Sequence, residues 1–307
     1  MIEIKRILCP IDFSDYSRHA LNHAVAMAKW YDSTITVLHV LPVVPVAAYG
    51  SELPALPSTV PSPADRDELL AAMKRFADEA GSDLPIQCET CEGTVTAEIL
   101  ARAGAIPSDL IVMGTHGRSG FERLVLGSVT EKVLRKAACP VLSVPSHVRD
   151  AVPAPPVLFK DILCAIDFSD CSTNALNYAM SLAQEADARL TVVHVIEMLP
   201  ESAPGRDEAI QVWPGNVSEY IAGVEQDRRE RLRAAVPESV RAYCAVETVL
   251  ANGNPYRAIL RVAAEQHSDL IVIGIHGRGA ADLLFFGSTA QHVVRQATCP
   301  VLTLRRG

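Results

Sequence analysis

The chain contains one unit twice, and this duplication limits its fold more than any other feature of the sequence. The stretch at 7–24, ILCPIDFSDYSRHALNHA, returns at 162–179 as ILCAIDFSDCSTNALNYA, 155 positions later. The stretch at 108–118, SDLIVMGTHGR, returns at 268–278 as SDLIVIGIHGR, 160 positions later, so the second copy carries a net five extra residues in between. Two copies of this length predict two homologous domains, because a solenoid needs several shorter repeats.

The segment between the copies predicts a linker. SHVRDAVPAPP at 146–156 is polar and then rich in Pro and Ala, with no apolar periodicity. We expect a first domain over 1–147, a linker over 148–157 and a second domain over 158–307. The 307 residues, of which 49% are hydrophobic and 21% charged, supply enough apolar material for two globular cores.

Within each copy, short β-branched segments alternate with helical patterns. The strands predicted in the first copy are 7–12, 34–40, 86–92, 109–114 and 140–144. The first and fourth of them are apolar almost throughout, as parallel strands are when helices cover both faces. Helical periodicity over 14–31 and 65–80 places apolar residues on one face of each segment. This alternation predicts an α/β fold with a doubly wound parallel sheet in each copy.

The charge of the chain argues against polyanionic partners. Its formal net charge is −8 and no run of Lys or Arg provides a local exception, so we expect no binding to nucleic acid. The first residues, MIEIKRILCPID, are charged before a very short apolar run, and no stretch is long enough to cross a bilayer. The eight cysteines fit a reducing compartment. We therefore expect a cytoplasmic protein with no membrane association.

A glycine-rich motif occurs once in each copy. Residues 114–129 read GTHGRSGFERLVLGSV and residues 274–289 read GIHGRGAADLLFFGST, each with GxxG, nine further residues and then Gly-Ser. An apolar strand runs directly into the first glycine, which places the motif at the carboxyl edge of the sheet, where open α/β sheets bind ligands. The motif has neither the lysine of a GxxxxGK phosphate loop nor the spacing of GxGxxG. We expect a third type of phosphate-binding loop.

The serine that ends this motif allows two interpretations. Ser128 and Ser288 are followed three positions later by Glu131 and Gln291, the pattern of a capping box, so each serine is expected to cap its helix. The same helix start carries free N–H groups and a partial positive charge, which bind phosphate, and the motif glycines would leave those amides accessible. The two interpretations are compatible.

The motif, together with PIDFSDYSRHAL early in the first copy and HV at the end of its second strand, resembles the ATP-binding class of the universal stress protein family in tandem form. The resemblance covers 2–146 and 158–306. It implies an adenine nucleotide alpha hydrolase-like fold, with a five-stranded parallel sheet of order 3-2-1-4-5 in each copy. It also implies ATP or another adenine nucleotide, with or without Mg²⁺, at the crevice where the first and fourth strands part.

The resemblance implies a role for each matching residue. In the first copy the carboxylate expected to hold the ribose hydroxyls is Asp12. The residues expected to line the base and ribose pocket are Pro10, Val40 and Met113. Those expected to cradle the phosphates are Gly114, Gly117, Gly127, Ser128 and Val129. The matching residues of the second copy are Asp167, Ala165, Val195, Ile273, Gly274, Gly277, Gly287, Ser288 and Thr289.

The two predicted sites are not identical. Ala165 departs from the usual proline of the family, and Arg123 has Leu283 as its counterpart, so we expect the first site to bind more tightly. Arg118 and Arg278, after the second glycine, could each add a cation, although an exposed loop arginine is equally ordinary.

Other polar residues have a packing and a functional interpretation. His116 and His276 could contact a phosphate, but local packing is the favoured interpretation, as it is for His39 and His194 at strand ends. Asp12 and Asp167 could ligate Mg²⁺, yet ribose hydroxyls explain them without a metal.

The cysteines are interpreted mainly as packing residues. Cys88 and Cys91 lie three apart on a predicted strand and so face opposite ways, which disfavours joint metal ligation. The cysteines that repeat between the copies are expected in core strands and are Cys9, Cys164, Cys139 and Cys299. Cys171, near a helix start, is the best candidate for a reactive thiol.

Three functions remain open at this point. The leading hypothesis is a nucleotide-binding stress-response module with two sites, whose occupancy biases its conformation or its protein partners. The alternative is a slow ATPase that uses the same sites, and a structural dimer scaffold is the third. The terminal strands PVLSV and PVLTL are apolar, and the resemblance implies that such strands pair edge to edge around a twofold axis. We therefore predict an internal pseudo-dimer of the two halves that hides these edges, with a homodimer of chains as a further arrangement left open.

Overall fold

A computed structural model of the chain describes residues 2–42, 63–81, 84–117, 126–145, 159–197, 217–277 and 286–305. The described residues of Glu3–Leu158 form one compact unit, and those of Phe159–Gly307 form the other, together with Ile2. The predicted linker at 148–157 lies outside the described residues, so the predicted domain boundaries stay a prediction.

The first unit alternates strands and helices as predicted. Its strands are β1 (Arg6–Pro10), β2 (Thr34–Pro42), β3 (Ile86–Gly93), β4 (Leu110–Gly114) and β5 (Val141–Val144). Its described helices are α1 (Asp15–Tyr31), α2 (Pro63–Asp78), α3 (Val95–Ala105) and α4 (Ser128–Lys136).

The second unit repeats this order. Its strands are β6 (Asp161–Ala165), β7 (Arg189–Ile196), β8 (Val246–Asn252), β9 (Leu270–Gly274) and β10 (Val301–Leu304). Its described helices are α5 (Asp170–Ala186), α6 (Val217–Ala234), the short α7 (Glu238–Arg241), α8 (Pro255–Glu265) and α9 (Ser288–Gln296).

All strand pairs within each unit are parallel. The order is β3-β2-β1-β4-β5 in the first unit and β8-β7-β6-β9-β10 in the second. The predicted fold class, an α/β fold with two doubly wound five-stranded sheets of order 3-2-1-4-5, is confirmed. The central strands form the core: all five residues of β4 are buried, because helices cover both faces of the sheet.

The turn from the first strand into the first helix has the same geometry in both units. Phe13 and Phe168 adopt left-handed backbone conformations, with φ of 61° and 63°. The helix that follows is capped by a serine side chain. Ser14 accepts a hydrogen bond from the N–H of Ser17, and in the second unit Ser169 accepts one from the N–H of Ser172. This turn fixes the carboxyl end of each central strand against the start of a helix. Among the described residues, no helix is both long and apolar enough to cross a membrane.

Candidate functional site

The carboxyl edge of the second unit's sheet borders a cavity of about 550 Å³. The chain leaves β6 towards β7 and leaves β9 towards β10 on the opposite side, so a crevice opens between β6 and β9. Most of the residues predicted to bind nucleotide in this copy line the cavity, namely Ala165, Asp167, Val195, Ile273, Gly274, Gly277, Gly287, Ser288 and Thr289. Arg278, which belongs to the same prediction, lies outside the described residues.

The first unit places its matching residues on the same elements. Pro10 ends β1, Val40 lies near the end of β2, and Met113 and Gly114 end β4. The remaining described members lie in the loops at this edge or at the start of α4, and are Asp12, Gly117, Gly127, Ser128 and Val129. Arg118 and Arg123 lie outside the described residues.

The predicted ribose-binding carboxylates are held in a fixed orientation. Oδ1 of Asp12 accepts hydrogen bonds from the main-chain N–H of Ser14 at 3.1 Å and from its hydroxyl at 2.5 Å. Oδ1 of Asp167 accepts from the N–H and hydroxyl of Ser169 at 3.0 and 2.6 Å. Phe13 and Phe168, which lie between the Asp and the Ser, have left-handed backbone conformations that direct the serine N–H towards the carboxylate. Because one oxygen is fixed in this way, the direction of the other oxygen is set as well.

The second glycine of each motif lies directly against this carboxylate. A Cβ on Gly117 would come within 2.5 Å of Oδ2 of Asp12, and a Cβ on Gly277 within 2.7 Å of Oδ2 of Asp167. Only a residue without a side chain permits so close an approach. The loop after β4 or β9 and the turn after β1 or β6 therefore meet at one point.

The first and third glycines have packing reasons of their own. A Cβ on Gly114 would lie 2.8 Å from Cβ of Tyr16, and a Cβ on Gly274 would lie 3.0 Å from Sγ of Cys171. A Cβ on Gly127 would lie 3.0 Å from the carbonyl oxygen of Thr115. The protein itself fills these positions, so access for a phosphate is not needed to explain these glycines.

The prediction that the motif serine caps its helix is wrong. The N-cap residues of α4 and α9 are Gly127 and Gly287, neither helix has a side-chain capping bond, and Ser128 and Ser288 are exposed first residues of their helices. The main-chain N–H of Gly127 donates to the carbonyl of Thr115 at 2.8 Å, which sets the start of the helix one residue earlier than the capping-box pattern suggests. The first-turn amides of α4 and α9 are therefore not occupied by a capping side chain.

The histidines at the sheet edge make local contacts. Nδ1 of His39 and of His194 lies 2.8 Å from the carbonyl oxygens of Ile11 and Ile166, so each ring donates to a loop carbonyl, and the packing interpretation is confirmed. Nδ1 of His116 lies 3.0 Å from Oγ1 of Thr115, and its buried Nε2 has no hydrogen-bond partner among the described residues.

The cysteines do not form a reactive site in the part of the chain that the structure describes. The prediction of a reactive Cys171 is wrong, because its thiol is buried, donates to the carbonyl of Leu304 at 3.1 Å, and has its pKa raised mainly by burial. Burial also raises the pKa of Cys9 to about 12. Cys139 and Cys299 precede β5 and β10 rather than lying within core strands, which corrects their predicted position. No group of three or more His, Cys, Asp or Glu side chains among the described residues could hold a metal ion.

The cavity has lining residues that the sequence analysis missed. They lie on α6, on α8 and at the end of β7, and include Val224, Arg228, Pro255, Ile259 and Glu197. The helix α6 lies in the part of the chain where the two copies are least similar. The sequence repeat therefore does not show which residues of α6 correspond to which residues of α2. The only signal in the sequence is the spacing of Val224 and Arg228, which lie four positions apart and so fall on one face of α6.

Comparison with known proteins agrees with this architecture. A model of the universal stress protein family matches residues 3–145 and 158–305. Over 140 residues, 46% of this chain and 81% of the other, the sequence is 38% identical to a universal stress protein of Methanocaldococcus jannaschii. Over 305 residues, 97% of this chain and 96% of the other, it is 25% identical to a universal stress protein of Mycolicibacterium smegmatis. The crystal structure of a universal stress protein from Archaeoglobus fulgidus superposes with a TM-score of 0.65 and 25% identity, covering 100% of both chains. The chain therefore belongs to the universal stress protein family, in its tandem two-domain form.

Proposed function

We propose that the protein binds adenine nucleotides, ATP in particular, at one site in each half and acts as a regulatory binding module in the stress response. The observation that carries this proposal is the second-unit cavity, whose volume of about 550 Å³ lies in the range of small-molecule sites. Its lining provides, in order, apolar strand ends for a base, the fixed carboxylate of Asp167 for ribose hydroxyls, and the start of α9 for phosphates.

The chemistry of these groups fits a nucleotide. A carboxylate accepts hydrogen bonds from two hydroxyls, and uncapped helix amides donate to phosphate oxygens in the field of the helix dipole. Mg²⁺ would be held chiefly by the phosphates, with the hydroxyl of Ser288 or Thr289 as an additional ligand. In the first half, Asp12, Ser128 and Val129 would take the matching roles.

Isothermal titration of the full chain with ATP and with AMP tests the proposal. We expect saturable binding of ATP at two sites, with weaker binding of AMP because it lacks the β- and γ-phosphates that reach α4 and α9. Asp12→Ala and Asp167→Ala should each lower the ATP stoichiometry from two towards one, whereas Asp78→Ala, on an exposed position of α2, should leave it unchanged. Absence of saturable binding by both nucleotides would contradict the proposal.

A slow ATPase remains the alternative, and the buried Nε2 of His116 favours it, since a nucleotide-bound water could satisfy that nitrogen. Oδ1 of Asp12 accepts two hydrogen bonds from Ser14, which orients the carboxylate for binding, and this is why we place binding first. Phosphate release that exceeds the buffer rate and falls in His116→Ala, with ATP affinity retained, would establish the enzyme. The pairing of the two halves, the association of chains and the cytoplasmic location stay predictions; solution scattering of the intact chain tests the first two.

A further inference from the structure

A histidine on the second strand of each half contacts the turn that carries the predicted ribose-binding carboxylate. His39 lies on β2, next to β1, and His194 lies on β7, next to β6. Nδ1 of each ring lies 2.8 Å from a main-chain carbonyl oxygen, that of Ile11 or of Ile166, the residue directly before the Asp. Because a carbonyl oxygen only accepts, each Nδ1 carries the hydrogen and donates it.

The residue before the Asp is also held by the main chain of the same strand. The N–H of Ile11 donates to the carbonyl of Leu38 at 2.8 Å, and the N–H of Ile166 donates to that of Val193 at 2.9 Å. Leu38 and Val193 directly precede the two histidines. The strand pairing itself ends one residue before Ile11 and Ile166. The imidazole therefore anchors the chain one step beyond the last pair of the ladder.

The ring of each histidine packs against the residue directly after the Asp. The ring centroid of His39 lies 4.9 Å from that of Phe13, and the centroid of His194 lies 4.6 Å from that of Phe168. Both phenylalanines have φ above 60°, a backbone conformation that a bulky residue adopts only at a cost. One imidazole thus contacts the residues on both sides of the carboxylate, by a hydrogen bond before it and by a ring contact after it.

This arrangement occurs in both halves although its surroundings differ. In the first half Phe76 of α2 packs edge-on against Phe13 at 5.5 Å, whereas in the second half the guanidinium of Arg231 on α6 lies 4.4 Å from the ring of Phe168. His194 is buried and lines the second-unit cavity. Burying an imidazole costs free energy that an apolar side chain would not cost, so packing alone does not explain a histidine at this position.

We propose that His39 and His194 are positioning residues, which fix the carboxylates of Asp12 and Asp167 for the two ribose hydroxyls; this inference rests on the proposed function that each half binds a nucleotide. The imidazole holds the main chain on either side of the Asp, and the serine two residues later holds one carboxylate oxygen. A hydrogen bond weakens steeply as its geometry departs from linear, so a carboxylate that could turn would lose the hydroxyls. Through these histidines each site selects nucleotides with an intact ribose.

The test compares ATP with its dideoxy analogue, which lacks both ribose hydroxyls but has the same base and the same triphosphate. Hydrogen exchange of the amides at the start of α4 and of α9, followed against nucleotide concentration in the full chain, gives each site its own affinity. We expect each site of the unaltered chain to bind ATP about tenfold more tightly than the analogue, because the analogue loses hydrogen bonds to a charged acceptor.

His194→Phe keeps an aromatic ring beside Phe168 but removes the donor to the carbonyl. It should lower the ratio of ATP affinity to analogue affinity about threefold or more at the second site and leave the ratio at the first site unchanged. His194→Asn places an amide donor near the position of Nδ1 and should retain most of the ratio. His39→Phe should change the first site alone, and it keeps the test decisive should His194→Phe not fold.

The ratio distinguishes positioning from a general structural role. A loss of folded protein lowers the apparent affinity for both nucleotides by the same factor and leaves their ratio constant. The matched control is His292→Phe on α9. Nδ1 of His292 also lies near a carbonyl oxygen, that of Ser288 at 2.7 Å, and its ring stacks on Tyr256 at 4.5 Å. This control should leave the ratio unchanged.

Binding of neither nucleotide would overturn the proposed function and this inference together. Equal binding of ATP and the analogue by the unaltered chain would overturn this inference and leave nucleotide binding standing. An unchanged ratio at the altered site of His194→Phe or His39→Phe would also overturn this inference alone. So would an equal fall in His292→Phe, or a fall in His194→Asn as large as that in His194→Phe.

Discussion

At the start of α1 the first half has Tyr16, whereas at the start of α5 the second half has Cys171. Both residues lie against the first glycine of the motif, but they do different things. The ring of Tyr16 lies 5.3 Å from the ring of His116, and the thiol of Cys171 instead donates to the carbonyl of Leu304. The backbone around them is the same in both halves, with matching strand order, matching left-handed turn and matching glycine N-cap.

The comparison separates two classes of residue. Positions whose role is set by the main chain are retained in both halves, such as Asp12 and Asp167 with the serine two residues later. Positions whose side chains pack beside the first glycine of the motif have changed, such as Tyr16 and Cys171. The two halves therefore share the main-chain geometry of this sheet edge and differ in side chains that pack against it.

The largest effect is expected when a methyl group is added at the first glycine. Gly114→Ala should lower the free energy of unfolding by about 3 kcal/mol, because the new Cβ would lie 2.8 Å from Cβ of Tyr16 and 3.0 Å from its main chain. Gly274→Ala should cost less, about 1 to 2 kcal/mol, since its nearest neighbours at 3.0 Å include the Sγ of Cys171, which can rotate.

Hydrogen exchange under denaturant, which reports each half separately, measures both effects. The control is Gly104→Ala in α3, where no atom lies within 4 Å of the added Cβ and the helix should gain about 0.5 to 1 kcal/mol. Equal losses in the free energy of unfolding for Gly114→Ala and Gly274→Ala would contradict this prediction. They would mean that replacing Tyr16 by Cys171 does not change how a half accommodates the added methyl group.

The next effect concerns the carboxylates. Asp12→Asn and Asp167→Asn should each weaken ATP binding at their own site by about 1.5 to 3 kcal/mol, because a hydrogen bond to a charged acceptor is lost. The two losses should be similar, since the Asp–Ser geometry differs by only about 0.1 Å between the halves. Titration with ATP of each variant measures them, and a loss confined to one half would show that only that half uses its carboxylate.

The strands, and the carboxyl edge of the sheet at which the candidate site lies, could be predicted from the sequence for a physical reason. A buried parallel strand such as β4 leaves an unbroken apolar run, and the glycine that follows it marks the carboxyl edge. The helix α3, by contrast, was not identified; its N-cap Thr94 makes no side-chain capping bond, so its start carries no strong signal.

The candidate site was harder to predict at residues whose role depends on tertiary contacts. The capping-box pattern cannot tell whether Ser128 is the N-cap or the first helical residue, and the bond from Gly127 to the carbonyl of Thr115 decides it. Cys171 resembled a thiol at a helix start, but burial against β10 raises its pKa. Arg228 was missed because the register of α6 follows from contacts with β8, which no local pattern records.

The smallest effect is expected at the motif serines, and it tests the corrected helix start. Ser14→Ala and Ser169→Ala remove true capping side chains and should cost about 1 kcal/mol each. Ser128→Ala and Ser288→Ala remove exposed hydroxyls that cap nothing and should cost less than about 0.5 kcal/mol without ligand, measured by the same exchange experiment. A loss as large as that of Ser14→Ala would mean that the hydroxyl occupies the first-turn amides in solution. Those amides could then bind phosphate only by displacing the serine, and the nucleotide would have to compete with the protein's own cap in both halves.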